Sequence, residues 1–267
     1  MRRRPVPRLR DQSLNRLIPN ILTVLALCAG LTAIRFALQE QWEQAVLSIV
    51  IAGVLDGLDG RIARLLDGAS RFGAELDSLS DFVCFGVAPA VLLYYWTMKG
   101  AGGIGWALAL LFSVCCALRL ARFNTKLDNA DLPAWTSRFF VGVPAPAGAG
   151  LALVPVFATL ELGPGFFDRP IVCGATMIVV ALLMISRVPT FSFKRVKVPH
   201  AYVGHMLLGV GALAAFLVTN PWLTLMAVAV VYVGSIPFSC VAYRRLKRQR
   251  PYVLLEESEG HGDILAP

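Results

Sequence analysis

Eight apolar stretches, each about as long as a bilayer crossing requires, constrain this chain more than any other feature. They run approximately Leu17 to Leu38, Ala45 to Leu66, Leu79 to Met98, Ile104 to Phe123, Val141 to Glu161, Ile171 to Ser186, Ala201 to Val218 and Leu223 to Tyr243. A membrane helix needs about 17 to 25 largely apolar residues, and short polar or Gly/Pro breaks separate the segments. Of the 267 residues, 57% are hydrophobic and 16% charged, whereas ordinary soluble domains carry roughly 25% charged residues. The expected fold is therefore all-α, a polytopic membrane bundle of about eight transmembrane helices with no room for a second, soluble domain. The first segment is too long for a signal-peptide core and shows no small-residue cleavage site, so it is expected to remain as a helix.

The net charge of +8 raises the question of nucleic acid, which the placement of the cations answers. Arg2, Arg3, Arg4, Arg8, Arg10 and Arg16 precede the first span, and Arg61, Arg64 and Arg71 follow the second. Arg119, Arg122, Lys126 and Arg138 follow the fourth, Arg187, Lys194, Arg195 and Lys197 the sixth, and Arg244, Arg245, Lys247, Arg248 and Arg250 the eighth. Only Arg35, Lys99 and Arg169 fall on the other side, leaving 22 of the 25 Lys and Arg in alternate loops. That asymmetry predicts an even number of spans with both termini cytoplasmic. No nucleic-acid partner is needed to explain it. The basic N-terminal segment also suits anionic lipid head groups. The six cysteines lie in apolar segments without metal-ligand spacing and read as small core residues. His200 and His205 read as interfacial hydrogen-bonding groups, and Tyr94, Tyr95, Trp96, Trp222 and Tyr243 as an aromatic belt.

The second span ends in residues that a lipid-facing helix should not contain. Asp56 and Asp59 are followed by Gly60, Arg61, Ala63 and Arg64, then by Gly73, Glu75, Asp77 and Asp81. Ionisable groups at membrane depth are costly and mark a cavity or the bundle interior. Spacings of three and four place Asp56 with Asp59, and Asp77 with Asp81, on one face of their respective helices. If the two faces converge, the carboxylates repel one another unless cations compensate, and hard oxygen ligands of this kind suit Mg²⁺ or Mn²⁺, with two ions expected. Gly60 and Ala63 keep the acidic face free of bulk, so a nucleotide can approach the backbone, and Gly73 can do the same on the facing helix. Gly57 reads as a packing residue. Arg64 adds a fixed positive charge. Divalent metals on a diphosphate beside an arginine form a recurring arrangement for phosphoryl-type transfer.

The pattern D-x2-D-G-x2-A-R-x8-G-x3-D-x3-D, read from Asp56 to Asp81 without a departure, resembles the signature of the CDP-alcohol phosphatidyltransferases. Eight fixed residues at ordinary frequencies coincide by chance on the order of once in 10¹⁰ positions. The resemblance implies that Asp56, Asp59, Asp77 and Asp81 surround two divalent ions on the cytoplasmic side, the first three chiefly as metal ligands and Asp81 as the general base toward the acceptor hydroxyl. It implies that Asn20, Asp56, Gly60, Ala63, Arg64, Gly73 and Asp77 bind the CDP-lipid. It also implies a homodimer in the cytoplasmic (inner) membrane. On this reading residues 1–16 are a basic cytoplasmic segment and 17–187 a six-helix catalytic core. Residues 188–243 add a cytoplasmic loop and two further membrane helices, and 244–267 form a cytoplasmic tail.

Three further segments bear on the acceptor: Arg119-Leu120-Ala121-Arg122-Phe123-Asn124, Gly142-Val143-Pro144-Ala145-Pro146, and Ser186-Arg187-Val188-Pro189-Thr190-Phe191-Ser192-Phe193-Lys194. Together they resemble the phosphatidylserine synthase branch of the family, whose implied substrates are CDP-diacylglycerol and L-serine. A carboxylate-bearing acceptor needs a cation, and Arg119, Arg122, Arg187 and Lys194 are the candidates. Singly, each is also explained by topology and head-group contact, and Pro144 and Pro146 by helix initiation. Glycerol phosphate, inositol phosphate or choline as acceptor, and a membrane ion or proton transporter, are the competing readings. The transporter reading requires acidic groups spread through the membrane, and here they are confined to one stretch.

Overall fold

The computed structural model describes residues 14–66, 70–127, 139–191 and 203–249. Its first two helices, α1 (Leu14–Leu38) and α2 (Trp42–Leu65), fold back on each other through a short turn in which Glu40 takes a φ of 59°. Ala26, Ala33 and Ala37 of α1 and Ala45, Val46 and Ala52 of α2 are buried. Small side chains let two helices approach closely, which matters in lipid because apolar burial alone gives helices little reason to associate.

Helix α3 (Arg71–Asp81) starts with Ser70 as its N-cap, whose Oγ accepts a hydrogen bond from Gly73 N at 3.0 Å. It continues through a π-helical turn, Phe82–Val87, into α4 (Ala88–Trp96). This span therefore begins about two turns before Leu79, where hydropathy places it, because the capped, polar first turns extend the helix beyond its apolar part. Wide turns of this type recur at functional sites, and this one begins at the residue after Asp81. A 3₁₀ turn at Met98–Ala101 leads to α5 (Gly103–Leu127). The fifth apolar segment is two helices, α6 (Ala145–Ala152) and α7 (Val154–Leu162), broken next to Pro155, which has no N–H to continue the ladder. Helices α8 (Pro170–Ile185), α9 (Val203–Thr219) and α10 (Pro221–Gln249) complete the bundle.

Each apolar segment corresponds to one helix or one broken helix, and the chain is an all-α polytopic membrane protein. Among the described residues, five helical stretches are long and apolar enough to cross a bilayer: Leu17–Leu38, Arg71–Trp96, Gly103–Thr125, Ala145–Leu162 and Pro221–Leu246. Two shorter apolar helices, Pro170–Ile185 and Gly204–Thr219, accompany them. Helix α2 has the length, but its last ten residues carry Asp56, Asp59, Arg61 and Arg64. Phe112, Leu92, Leu93, Met177 and Met184 are among the fully buried side chains. Cys84, Cys115, Cys116 and Cys173 are buried and free, as expected of core residues, whereas Cys28 is exposed. Among the described residues nothing lies within 4 Å of a Cβ built on Gly57, so packing does not account for that glycine.

The one element unforeseen in the sequence is a two-stranded antiparallel ribbon. Strand β1 (Phe139–Val141) pairs with β2 (Pro189–Phe191) in the register Phe140 to Thr190. Gly142 follows β1 with a φ of 81° and donates its N–H to Val188 O at 2.8 Å. A Cβ there would lie 2.6 Å from Met184 O and 2.9 Å from Ser186 O, both backbone atoms. The same ribbon joins the Gly142–Pro146 and Ser186–Phe191 segments, which are separated by more than forty residues in sequence. Gly142→Ala should therefore destabilise the protein by about 1–3 kcal/mol through backbone strain alone, read as a lowered thermal midpoint in detergent. A midpoint equal to the parent's would refute this account of the turn.

Candidate active site

Helix α2 carries Asp56 and Asp59 on its C-terminal turns, and α3 carries Asp77 and Asp81. Where the helices face one another, the carboxylate oxygens of Asp56, Asp59 and Asp77 come within 4.8 Å of one another. Asp59 is buried at 4% exposure. Its Oδ2 accepts a hydrogen bond from Thr23 Oγ1 at 2.7 Å, while Pro19 O lies 3.1 Å from the same hydroxyl. A threonine hydroxyl has one hydrogen, and the shorter, charge-assisted bond to the carboxylate takes it. The side chain of α1 thus fixes the rotamer of an acid on α2. Ser80 Oγ donates to Thr23 O at 3.3 Å and Cys84 Sγ to Ala26 O at 3.3 Å. These bonds clamp α3 and the π-helical turn against the same face of α1.

Above the carboxylates lies a cleft of about 160 Å³ between Asn20 and Thr23 of α1, Gly60 and Ala63 of α2, and Gly73 and Asp77 of α3. Six residues expected from the sequence to meet the nucleotide or the metals (Asn20, Asp59, Gly60, Ala63, Gly73 and Asp77) share this lining. Gly73 has a second reason to be glycine, because an added Cβ would lie 2.7 Å from Asn20 Oδ1 and 3.1 Å from Ser70 Oγ. Arg64 is exposed, and one of its guanidinium nitrogens comes within 4.0 Å of where a Cβ on Gly60 would stand.

Asp81 is not one of the three acids within 4.8 Å of one another, but it interacts directly with Asp56. Asp56, Asp77 and Arg119 are its charged neighbours. Its Oδ1 is buried without a hydrogen-bond partner among the described residues, so an acceptor atom of this acid remains available to a ligand. Three oxygen donors within 4.8 Å of one another, on helix ends that bring like charges together, fit a hard divalent cation.

Of the four cations considered for the acceptor, the fold distinguishes three. Arg119 is buried at 8% exposure, near Asp81, with its guanidinium carbon 5.7 Å from the centre of the Phe123 ring. Arg122 donates from NH1 to Ile185 O at 2.6 Å, tying α5 to the end of α8. Arg187 is exposed. Lys194 and His200 lie outside the described residues. Sequence reasoning missed Thr23, a polar residue three positions after Asn20 in an otherwise apolar helix. It also missed the bond from Asn124 Nδ2 to Ser78 Oγ, 2.8 Å, which anchors the end of α5 to α3.

Comparison with known proteins agrees with this geometry. The family model described as CDP-alcohol phosphatidyltransferase matches residues 16–236. The chain belongs to that family. The family match spans the aspartate trio, the cleft and most of α10. Among curated relatives, a CDP-diacylglycerol–serine O-phosphatidyltransferase of Mycobacterium leprae (strain TN) is 43% identical over 233 residues, 87% of this chain and 77% of its own. Proteins with the same name from Mycobacterium tuberculosis (strain ATCC 25618 / H37Rv) and Bacillus subtilis (strain 168) are 40% and 35% identical, over 89% and 67% of this chain and 82% and 92% of their own. Through its bond to Asp59, Thr23 supports a metal-ligand candidate, and loss of such a support typically costs 10- to 100-fold in metal affinity. Thr23→Val should raise the Mn²⁺ concentration for half-maximal activity by that factor and leave maximal turnover nearly intact at saturating metal. An unchanged metal titration would remove Thr23 from this role.

Proposed function

We propose that this chain is a phosphatidylserine synthase, transferring the phosphatidyl group of CDP-diacylglycerol to the hydroxyl of L-serine with release of CMP. The observation that carries the chemistry is the grouping of Asp56, Asp59 and Asp77 within 4.8 Å beside a fourth acid, Asp81, whose Oδ1 is buried. The serine assignment is supported by the names of relatives up to 43% identical over most of the chain. It is supported too by Arg119 being the cation of the three described that is buried beside Asp81. One such cation suits a single carboxylate; a phosphorylated acceptor asks for a denser nest, and Arg122 already holds Ile185 O.

In this reading Asp56, Asp59 and Asp77 hold the metals, with Asp81 close enough to assist. Mg²⁺ or Mn²⁺, two ions when bound, supply charge neutralisation to the diphosphate and to the departing CMP phosphate. Asn20, Gly60, Ala63 and Gly73 form the cleft that receives the CDP moiety, and Arg64 lies at its edge. Asp81 accepts the proton of the serine hydroxyl as its oxygen bonds to the lipid-bearing phosphorus and the bond from that phosphorus to CMP breaks. The six-helix stretch 17–187 is the catalytic core. The Lys and Arg asymmetry supports a cytoplasmic active site with both termini cytoplasmic, in the cytoplasmic membrane, and the family resemblance supports a homodimer.

Purified protein in detergent with Mn²⁺ or Mg²⁺ should release CMP from CDP-diacylglycerol when given serine and not when given glycerol phosphate, inositol phosphate or choline. Release only with another alcohol would overturn the serine assignment. Asp81→Asn should lower kcat by about 10²–10⁴-fold, the usual contribution of a general base, with retained CDP-diacylglycerol binding; wild-type turnover would dismiss it as the base. Full chelation should abolish CMP release and added Mn²⁺ should restore it, whereas undiminished turnover in chelator would end the metal proposal.

A further inference from the structure

Helix α10 brings to the site a residue that no motif announces. The ring of Tyr232 lines an apolar cavity of about 250 Å³ enclosed by residues of α2, the π-helical turn, α6, α7 and α10. Its hydroxyl oxygen is buried and makes no hydrogen bond of good geometry among the described residues. Thr190 of β2 is close enough to interact with it, but that hydroxyl is 1% exposed and gives its own hydrogen to Gly142 O at 3.0 Å. The other neighbour is Arg119, whose guanidinium interacts electrostatically with both Asp81 and Tyr232. A buried hydroxyl left without a partner is costly unless a ligand completes it. Here the hydroxyl interacts electrostatically with a buried cation that also interacts with Asp81.

A hydroxyl donor and a buried cation that interact electrostatically can together receive a carboxylate. An ammonium group would meet Arg119 with like charge, so the amino group of an amino-acid acceptor does not belong at this position. We infer that Tyr232 is a specificity-determining residue whose hydroxyl, together with Arg119, takes the carboxylate of the acceptor. The C-terminal helix pair then completes the acceptor pocket, and the β1–β2 ribbon, against which α10 packs, sets the position of Tyr232 relative to α5. The inference rests on the serine reading above and deepens it.

The test is Tyr232→Phe, which keeps the ring that lines the cavity and removes only the oxygen. CMP release is measured with serine varied at saturating CDP-diacylglycerol, with CDP-diacylglycerol varied at saturating serine, and with ethanolamine as a probe lacking the carboxylate. The expected result is a KM for serine raised about tenfold or more, a KM for CDP-diacylglycerol within about twofold of the parent's, and a preference for serine over ethanolamine reduced by a similar factor. A variant whose serine KM matches the parent's, in a parent that uses serine, overturns the role of Tyr232 and leaves the serine assignment intact. A parallel rise in both KM values, or loss of CDP-diacylglycerol binding, also overturns it, because a purely structural residue behaves that way. A parent that releases no CMP with serine overturns both readings together.

Discussion

Like charges held close together near a membrane dictate much of how this bundle is built. Three carboxylates within 4.8 Å repel one another, and burial of Asp59 removes the water that would screen them. Such a cluster persists where the scaffold imposes it and a counter-charge relieves it. The scaffold here is helical backbone on three sides: α2 and α3 present the acids, and α1 lies against both. Divalent cations are the counter-charge the donor chemistry suits.

Precision in such a site comes from contacts that lock side chains without adding charge. Thr23 does this for Asp59 by a 2.7 Å hydrogen bond, and Ser80 and Cys84 hold α3 and the π-helical turn to carbonyls of α1. The widened turn after Asp81 lets this anchored segment continue as the apolar helix α4. Glycine enters where two groups must nearly touch. At Gly73 the absence of a side chain leaves room for Asn20 and for the Ser70 cap.

The other half of the site is assembled by a different device. A three-residue ribbon joins chain segments far apart in sequence, and Gly142 makes the turn possible by adopting a φ of 81° over backbone carbonyls. Arg122 reinforces that corner through Ile185 O. The ribbon also packs against α10, and Tyr232 and Arg119 interact electrostatically although 113 positions separate them.

The sequence by itself determined the local and periodic features. Apolar runs of bilayer length gave the helices, cation asymmetry gave the expected sidedness, and the spacing of Asp56, Asp59, Asp77 and Asp81 marked the acidic faces, because each property is set within a few turns of one helix. Only the tertiary structure decided which acids meet, which arginine is buried beside Asp81 and which is used to join helices, and that Thr23 braces Asp59. Those outcomes depend on how helices distant in the chain approach one another in lipid. That approach is governed by small-residue packing, caps and the positive φ of Gly142, none of which leaves a periodic signature in sequence.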